Sequence, residues 1–399
     1  MTLAPPRYAF EERLDHWIDR RGVEPVYLDE ENGMWRLLDH ATVSRVLSEP
    51  GTFSSDFSGL APVQEDFEAF RTGMFLTMDP PNHRKLRTLV SQAFTPRTVA
   101  GLEPRIHQIT EELLDAVAGQ RRFDLVEALA YPLPILVIAE LLGIPAQDRE
   151  LFEKWAKVLF SGDQLTENST MAEIEAALQM IAPTIREMNE YMLAHIKYHR
   201  ANPSDGLTSK LCRASVDGES LADQEMVGFV ALLLVAGHIT TTALIGNATI
   251  SLDRHPAAAA ALREDPSGIP VALEEVLRCL PPFNELGRRT TTEVELGGRT
   301  IPANSIIMAN IASANRDPRV FADAESFDFT RTPNPHLTFG HGIHFCLGTP
   351  LARMEGRIAF EALNRRYAGL SVARSEPVEF QNPAMIVSVR KLPVDVVPR

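Results

Sequence analysis

The sequence predicts a mainly α fold with a small β portion, arranged as a single domain over residues 1–399. Helix-period apolar patterning fills most of residues 80–280 and returns over 350–366. Strand signals gather in short tracts at about 23–38, 293–310 and 370–399. No repeat, low-complexity run or linker composition divides the chain.

The first forty residues read as a short helix followed by strands. Pro25–Leu28 and Met34–Leu37 flank the turn Glu31-Asn32-Gly33, a hairpin signal. Ala41–Leu47 is helical and stops at Pro50-Gly51. From Thr52 to Thr77 the chain is irregular but rich in Phe (Phe53, Phe57, Phe67, Phe70, Phe75), which suits a substrate-covering loop or plain core packing. A Pro-started helix follows Met78-Asp-Pro-Pro-Asn82 and places His83 and Arg87 four apart on one face. Further helices span Pro104–Ala118, Ile135–Leu142 (ended by Gly143-Ile-Pro145), Gln147–Phe160 and Met171–Arg200, with a polar break at Ser161–Ser169. Asp223 is placed to cap a long helix that carries no Asp, Glu, Lys or Arg from Met226 to Leu252. Ile269–Leu280 is helical up to Pro281-Pro282. A hairpin, Glu293–Ile301 with a Gly297-Gly298 turn, and an apolar strand, Ile306–Ala309, come next. Asn315–Pro335 is irregular, Leu351–Arg366 is helical, and short strands complete the chain.

A 45% hydrophobic and 23% charged composition suits a globular enzyme with a large core. The net charge of −14 argues against nucleic acid and anionic membrane surfaces as partners. Three widely spaced cysteines, Cys212, Cys279 and Cys346, point to a reducing cytoplasm without a disulfide framework. The opening residues lack a basic segment followed by an apolar one, so no signal peptide or anchor is read there, and the chain is assigned to the cytoplasm. The uncharged stretch is long enough to span a membrane, but His238, Thr240, Thr241, Thr242, Asn247, Thr249 and Ser251 interrupt its second half, as in a buried core helix.

The most informative stretch is Phe339-Gly-His-Gly-Ile-His-Phe-Cys346-Leu-Gly348, which runs into a helix. A thiolate beside a helix N-terminus is stabilised by free N–H groups and the dipole. Cys346 is therefore either a nucleophile or a soft metal ligand, unless it is simply a buried apolar thiol.

Phe339-x-x-Gly342-x-x-x-Cys346-x-Gly348 resembles the haem-ligand signature of the cytochrome P-450 monooxygenases. Glu275-x-x-Arg278 and Ala236-Gly237-His-Ile-Thr240-Thr241 resemble two further motifs of that family, in the expected order. The likeness covers about the whole chain and is closest to the soluble bacterial type. It implies the family's fold, with haem b (iron protoporphyrin IX) held between the long central helix and the cysteine loop. By the same resemblance Cys346 is the axial iron ligand, Gly342 and Gly348 let the backbone pass close to the porphyrin, and Phe339 shields the sulfur. His83, Arg87, Arg288 and His344 bind the propionates; Arg288 is preferred to its neighbour Arg289 on strand alternation. Glu275 and Arg278 form the family's buried ion pair. Where a second arginine often joins them this chain has Ser326, leaving Arg316 and Arg331 as alternatives.

On the oxygen side, Ala236 and Gly237 are small enough for the haem face to approach, and Thr240 offers a hydroxyl near dioxygen. The family usually carries Asp or Glu just before that threonine; here it is Ile239, which cannot relay a proton. Three accounts follow: Thr240 with ordered water suffices, the substrate supplies a hydroxyl, or the enzyme uses peroxide or performs atypical chemistry. A helper subunit is disfavoured because the ligand cysteine is intact. The resemblance implies a small lipophilic substrate, free or carrier-bound, as partner, and pocket walls from Phe57–Phe75, Leu159–Met180, Leu232–Ala236, Phe283–Leu286 and Met385-Ile386. With no flavin or iron–sulfur motif in the chain, electrons come from a ferredoxin and its reductase, with Arg84, Lys85, Arg353 and Arg357 as candidate docking cations.

Overall fold

The structure is a computed structural model that describes residues 24–57, 68–159, 171–381 and 386–399. The short N-terminal helix, the polar break at Ser161–Ser169, Phe67 and Met385 lie outside the described residues. The described chain is mainly helical with small sheets, as its patterning predicts.

Its axis is the helix Asp223–Arg254, 32 residues long. This helix is apolar enough to cross a membrane, yet 72% of its most apolar window is buried inside the fold. It carries no polar face because neighbours surround it: Pro132–Leu142, Met171–Ala201, Ile269–Cys279 and Thr349–Arg366 all pack against it. Close approach depends on two glycines. A Cβ on Gly237 would lie 2.9 Å from Ile138 Cδ1, and one on Gly246 would lie 2.5 Å from Val389 Cγ2. The N-terminus corrects one expectation. Asp223 is the first helical residue rather than the cap. The Glu225 carboxylate accepts from Ala222 N–H at 2.8 Å, while Asp223 is drawn away to Arg200 at 2.8 Å.

The largest sheet orders its strands as Val26–Asp29, Met34–Leu37, Ile306–Asn310, Glu285–Thr290 and Phe53–Ser54. Gly33, at φ +65°, makes the first hairpin turn, with Asp29 accepting from Asn32. Val26, Leu37, Phe53, Ile301 and Ile307 form a second apolar cluster with Val43, Val46 and Leu47 of the helix His40–Ser48. Two strands, Phe53–Ser54 and Arg122–Asp124, and the helix Glu68–Gly73 fall in stretches that carry no strand or helix signal. Phe53 and Phe75 are buried, so both pack in the core rather than in a mobile cover.

Candidate active site

Cys346 sits in a loop that closes on itself. Its N–H donates to Phe339 O at 2.9 Å, and Phe345 N–H donates to Gly342 O at 3.1 Å. Gly340 and Gly342 adopt φ of +75° and +71°, in the left-handed region that side chains oppose. Gly342 also presses on the helix His40–Ser48, where a Cβ would stand 2.6 Å from Leu47 O. The Cα hydrogen of Gly348 faces the sulfur, since a Cβ there would lie 3.8 Å from Cys346 Sγ. Three residues after the thiol the helix Thr349–Arg366 begins, with Thr349 Oγ1 donating to Cys346 O at 3.0 Å. Cys346 is exposed and free of any disulfide.

Beside it lies a cluster of two arginines and two histidines, with Asp79 near enough to act on His83 and Arg288. The helix Asn82–Ala93 contributes His83 and Arg87, the strand Glu285–Thr290 contributes Arg288, and the loop itself contributes His344. The rings of His83 and His344 are 4.3 Å apart, and Arg87 Nη2 donates to Phe345 O at 2.7 Å. Arg288 is buried, with Gly287 O as its hydrogen-bond acceptor among the described residues, whereas Arg289 points outward to Asn304 at 2.7 Å. His83 Nε2, Arg87 Nη1 and both ring nitrogens of His344 are buried without a hydrogen-bond partner. Burial and the neighbouring cations push His344 down to about 3, and burial lowers His83, Arg87 and Arg288 as well. Donors left this way fit an anionic acceptor, and the two carboxylates of haem are such groups.

The cysteine loop is braced from the helix Ile269–Cys279. Glu275 and Arg278 are fully buried and joined at 2.8 Å. Arg331 completes the pair: its Nε donates to Glu275 Oε2 at 3.1 Å, and Asn334 Nδ2 adds a bond at 3.0 Å. Arg316 instead serves Cys279 O at 2.6 Å. Ser326 participates through its backbone, accepting from Arg278 Nη2 at 2.8 Å.

On the central helix, Thr240 Oγ1 donates back to Ala236 O at 2.8 Å. Ile239 is buried, and Gly237 directs its missing side chain at Ile138, so its size serves helix packing there. His238 packs edge-on to Tyr131 at 4.4 Å, and burial holds its imidazole at about 3, uncharged at neutral pH. One functional candidate escapes sequence reasoning. Glu355, on the helix after the cysteine, is completely buried, bonded to Thr241, and has no partner for Oε2. Burial raises its carboxyl to about 8, and the Thr241 hydrogen bond offsets this only in part. Its signal in the sequence is an acid among Leu351, Ile358, Ala359 and Ala362, on the face the helix turns inward.

A cavity of about 680 Å³ opens between the helices Glu68–Gly73 and Asn82–Ala93. Its lining mixes Phe57, Met78 and Leu86 with Asp56, Lys85 and Glu225, and includes no residue of Leu232–Ala236 or Phe283–Leu286. Glu285, within the expected Phe283–Leu286 wall, is committed to Arg36 at 2.7 Å. Three of the four candidate docking cations have carboxylate partners: Lys85 with Glu219, Arg353 with Glu274, and Arg357 with Glu103 and Glu361. Arg84 is exposed with no ion pair to a described residue.

Comparison with known proteins agrees with these motifs. The model of the family "Cytochrome P450" matches residues 29–268 and 269–396. Cyclomarin C epoxidase CymV of Salinispora arenicola is 40% identical over 382 residues, 95% of each chain. The erythromycin C-12 hydroxylase of Saccharopolyspora erythraea is 42% identical over 396 residues, 98% of this chain and 96% of that one. The structure of HmtT, involved in himastatin biosynthesis, superposes with a TM-score of 0.87 at 44% identity, covering 94% of this chain and 96% of that one. With the family model spanning most of its length and hydroxylases and epoxidases among its relatives, the chain belongs to the cytochrome P450 family and is a monooxygenase.

Proposed function

We propose that this chain is a cytoplasmic haem-thiolate monooxygenase that places one atom of O2 into a lipophilic secondary metabolite, by hydroxylation or epoxidation. Electrons come from a ferredoxin and its reductase, because the sequence contains no motif for a flavin or an iron–sulfur cluster. The carrying observation is the buried cluster of His83, Arg87, Arg288 and His344, whose free donors adjoin the Cys346 loop. Haem, when bound, supplies an iron centre whose thiolate ligand favours O–O cleavage. Cys346 is the thiolate. Gly342 and Gly348 keep side chains out of the loop, and Phe339, whose carbonyl holds the Cys346 N–H, would shield the sulfur.

The distal helix orients oxygen and handles protons. Thr240, tied to Ala236 O, presents its hydroxyl oxygen as an acceptor at a fixed place. Ile239 and uncharged His238 supply no proton. Glu355 is the buried acid on offer: it holds a proton at neutral pH and is bonded to Thr241 of the central helix. Glu355 is thereby a candidate for the task usually given to an acid at position 239, which its Gln variant tests. Relatives named for the epoxidation of cyclomarin C and the hydroxylation of erythromycin support a large natural product as substrate, free or carrier-bound.

The test is carbon monoxide added to the reduced, haem-loaded protein. The expected result is a thiolate-type Soret shift that Cys346→Ser abolishes; absence of haem, or a shift that survives the substitution, overturns the reading. Ile239 favours a second reading, peroxide-driven chemistry, which predicts turnover with peroxide and none with ferredoxin.

A further inference from the structure

Glu274, next to the ion-paired Glu275, makes a separate set of contacts that ends at the cysteine. Arg353 Nε donates to Glu274 Oε1 at 2.7 Å and Arg353 Nη2 donates to Oε2 at 2.6 Å, a two-pronged bond. His336 Nε2 lies 3.1 Å from Glu274 Oε2. Because His336 Nδ1 accepts from Thr338 N–H at 3.3 Å, the ring carries a proton on Nε2 and donates it to the carboxylate. Burial alone would raise the Glu274 carboxyl, but the bonds from His336 and Arg353 override it and hold it near 2. Both partners then meet on one ring. The Arg353 guanidinium stands 4.9 Å over the Phe339 ring, and the His336 ring lies 5.9 Å from it. Phe339 O accepts the Cys346 N–H at 2.9 Å.

We propose that Glu274 is a positioning residue for the haem ligand. Through Arg353 and His336 it fixes Phe339 from two sides, and through Phe339 it sets the place and electrostatic surroundings of the Cys346 sulfur. The carboxylate also balances the Arg353 cation. Without it, an uncompensated positive charge stands over the ring of Phe339, whose carbonyl holds the Cys346 N–H, would favour the reduced iron, and is free to leave the ring. Glu275 acts differently, since its bonds to Arg331, Asn334 and Asp328 N–H hold the irregular stretch that precedes the loop. This inference rests on Cys346 being the haem ligand.

The test compares Glu274→Gln, Glu274→Asp and Arg353→Lys in the haem-loaded protein, reading the reduction potential, the Soret position of the reduced carbon monoxide complex, and Tm. In Glu274→Gln the ratio of reduced to oxidised iron at fixed potential should rise at least threefold. Glu274→Asp, which keeps the charge, should recover most of that change. Arg353→Lys, which keeps the charge but loses the flat two-pronged contact, should weaken the thiolate-type band without the potential shift of the Gln variant. A lowered Tm with an unchanged potential in Glu274→Gln makes Glu274 a structural brace only and overturns the inference. A parent protein lacking the thiolate-type band overturns the assignment of Cys346 instead, so the two failures are distinguishable.

Discussion

Replacing Glu355 by Gln keeps the side chain's shape and takes away its proton. The folded chain holds this carboxyl at about 8 against an ordinary 4.5, through complete burial. The folded state therefore keeps a proton that the unfolded chain releases between those values. A folded value raised above the unfolded one means that the favourable term is complete below pH 4.5 and is lost as pH climbs to 8. At about 1.36 kcal/mol per pH unit the loss reaches about 3 kcal/mol at neutrality and about 5 kcal/mol at the upper end. Gln has no proton to release and escapes it. Urea unfolding of parent and variant at several values between pH 5 and pH 8 should show the difference moving in the variant's favour by about 1.4 kcal/mol per unit. A difference that stays constant over that range refutes a protonated, buried Glu355. Turnover provides the functional half: product formed per reductant consumed should fall by up to about 10²-fold, the reach of a single general acid. Ile239→Glu should restore it in the Gln background, and unchanged coupling in Glu355→Gln alone would remove the residue from proton supply.

Glu275→Ala strands Arg278 without its carboxylate in a site closed to water, and should cost about 3–5 kcal/mol by urea unfolding; a loss under 1 kcal/mol would show that the surrounding carbonyls suffice for the guanidinium. Arg288→Ala should weaken haem retention by about 1.5–3 kcal/mol in a transfer assay to apomyoglobin, while Arg289→Ala, on the outward side of the same strand, should leave it unchanged. Equal effects of the two would dissolve the distinction between them.

What the sequence reveals depends on whether the signal is local. The central helix announces itself by an uncharged run, the hairpin by Asn32-Gly33, and the cysteine loop by glycines whose backbone angles no other residue adopts cheaply. Arg331 was beyond reach because the choice between it and Arg316 lies in an irregular stretch, where spacing along the chain says nothing about which guanidinium turns to Glu275. Two strands, Phe53–Ser54 and Arg122–Asp124, are too short to show alternation, and their pairing partners lie far away in sequence. Glu355 needed knowledge of which helix face is buried: an acid on an apolar stripe is ordinary until the stripe is known to be enclosed. Asp223 looked like a cap by type, and lost the place because Arg200, on another helix, claims its carboxylate.

The seat of Gly342 on the Leu47 carbonyl has a consequence for how the enzyme is assembled. His40 Nε2 meets Pro335 O at 3.0 Å, a contact across 295 residues, so the helix His40–Ser48 holds the ligand loop and the stretch before it at two points. A ribosome-bound chain still missing its last quarter has the bed but not the loop that lies in it. Cofactor capture therefore waits for two stretches about three hundred residues apart to meet, and the acquisition of colour during refolding is a clock for that meeting.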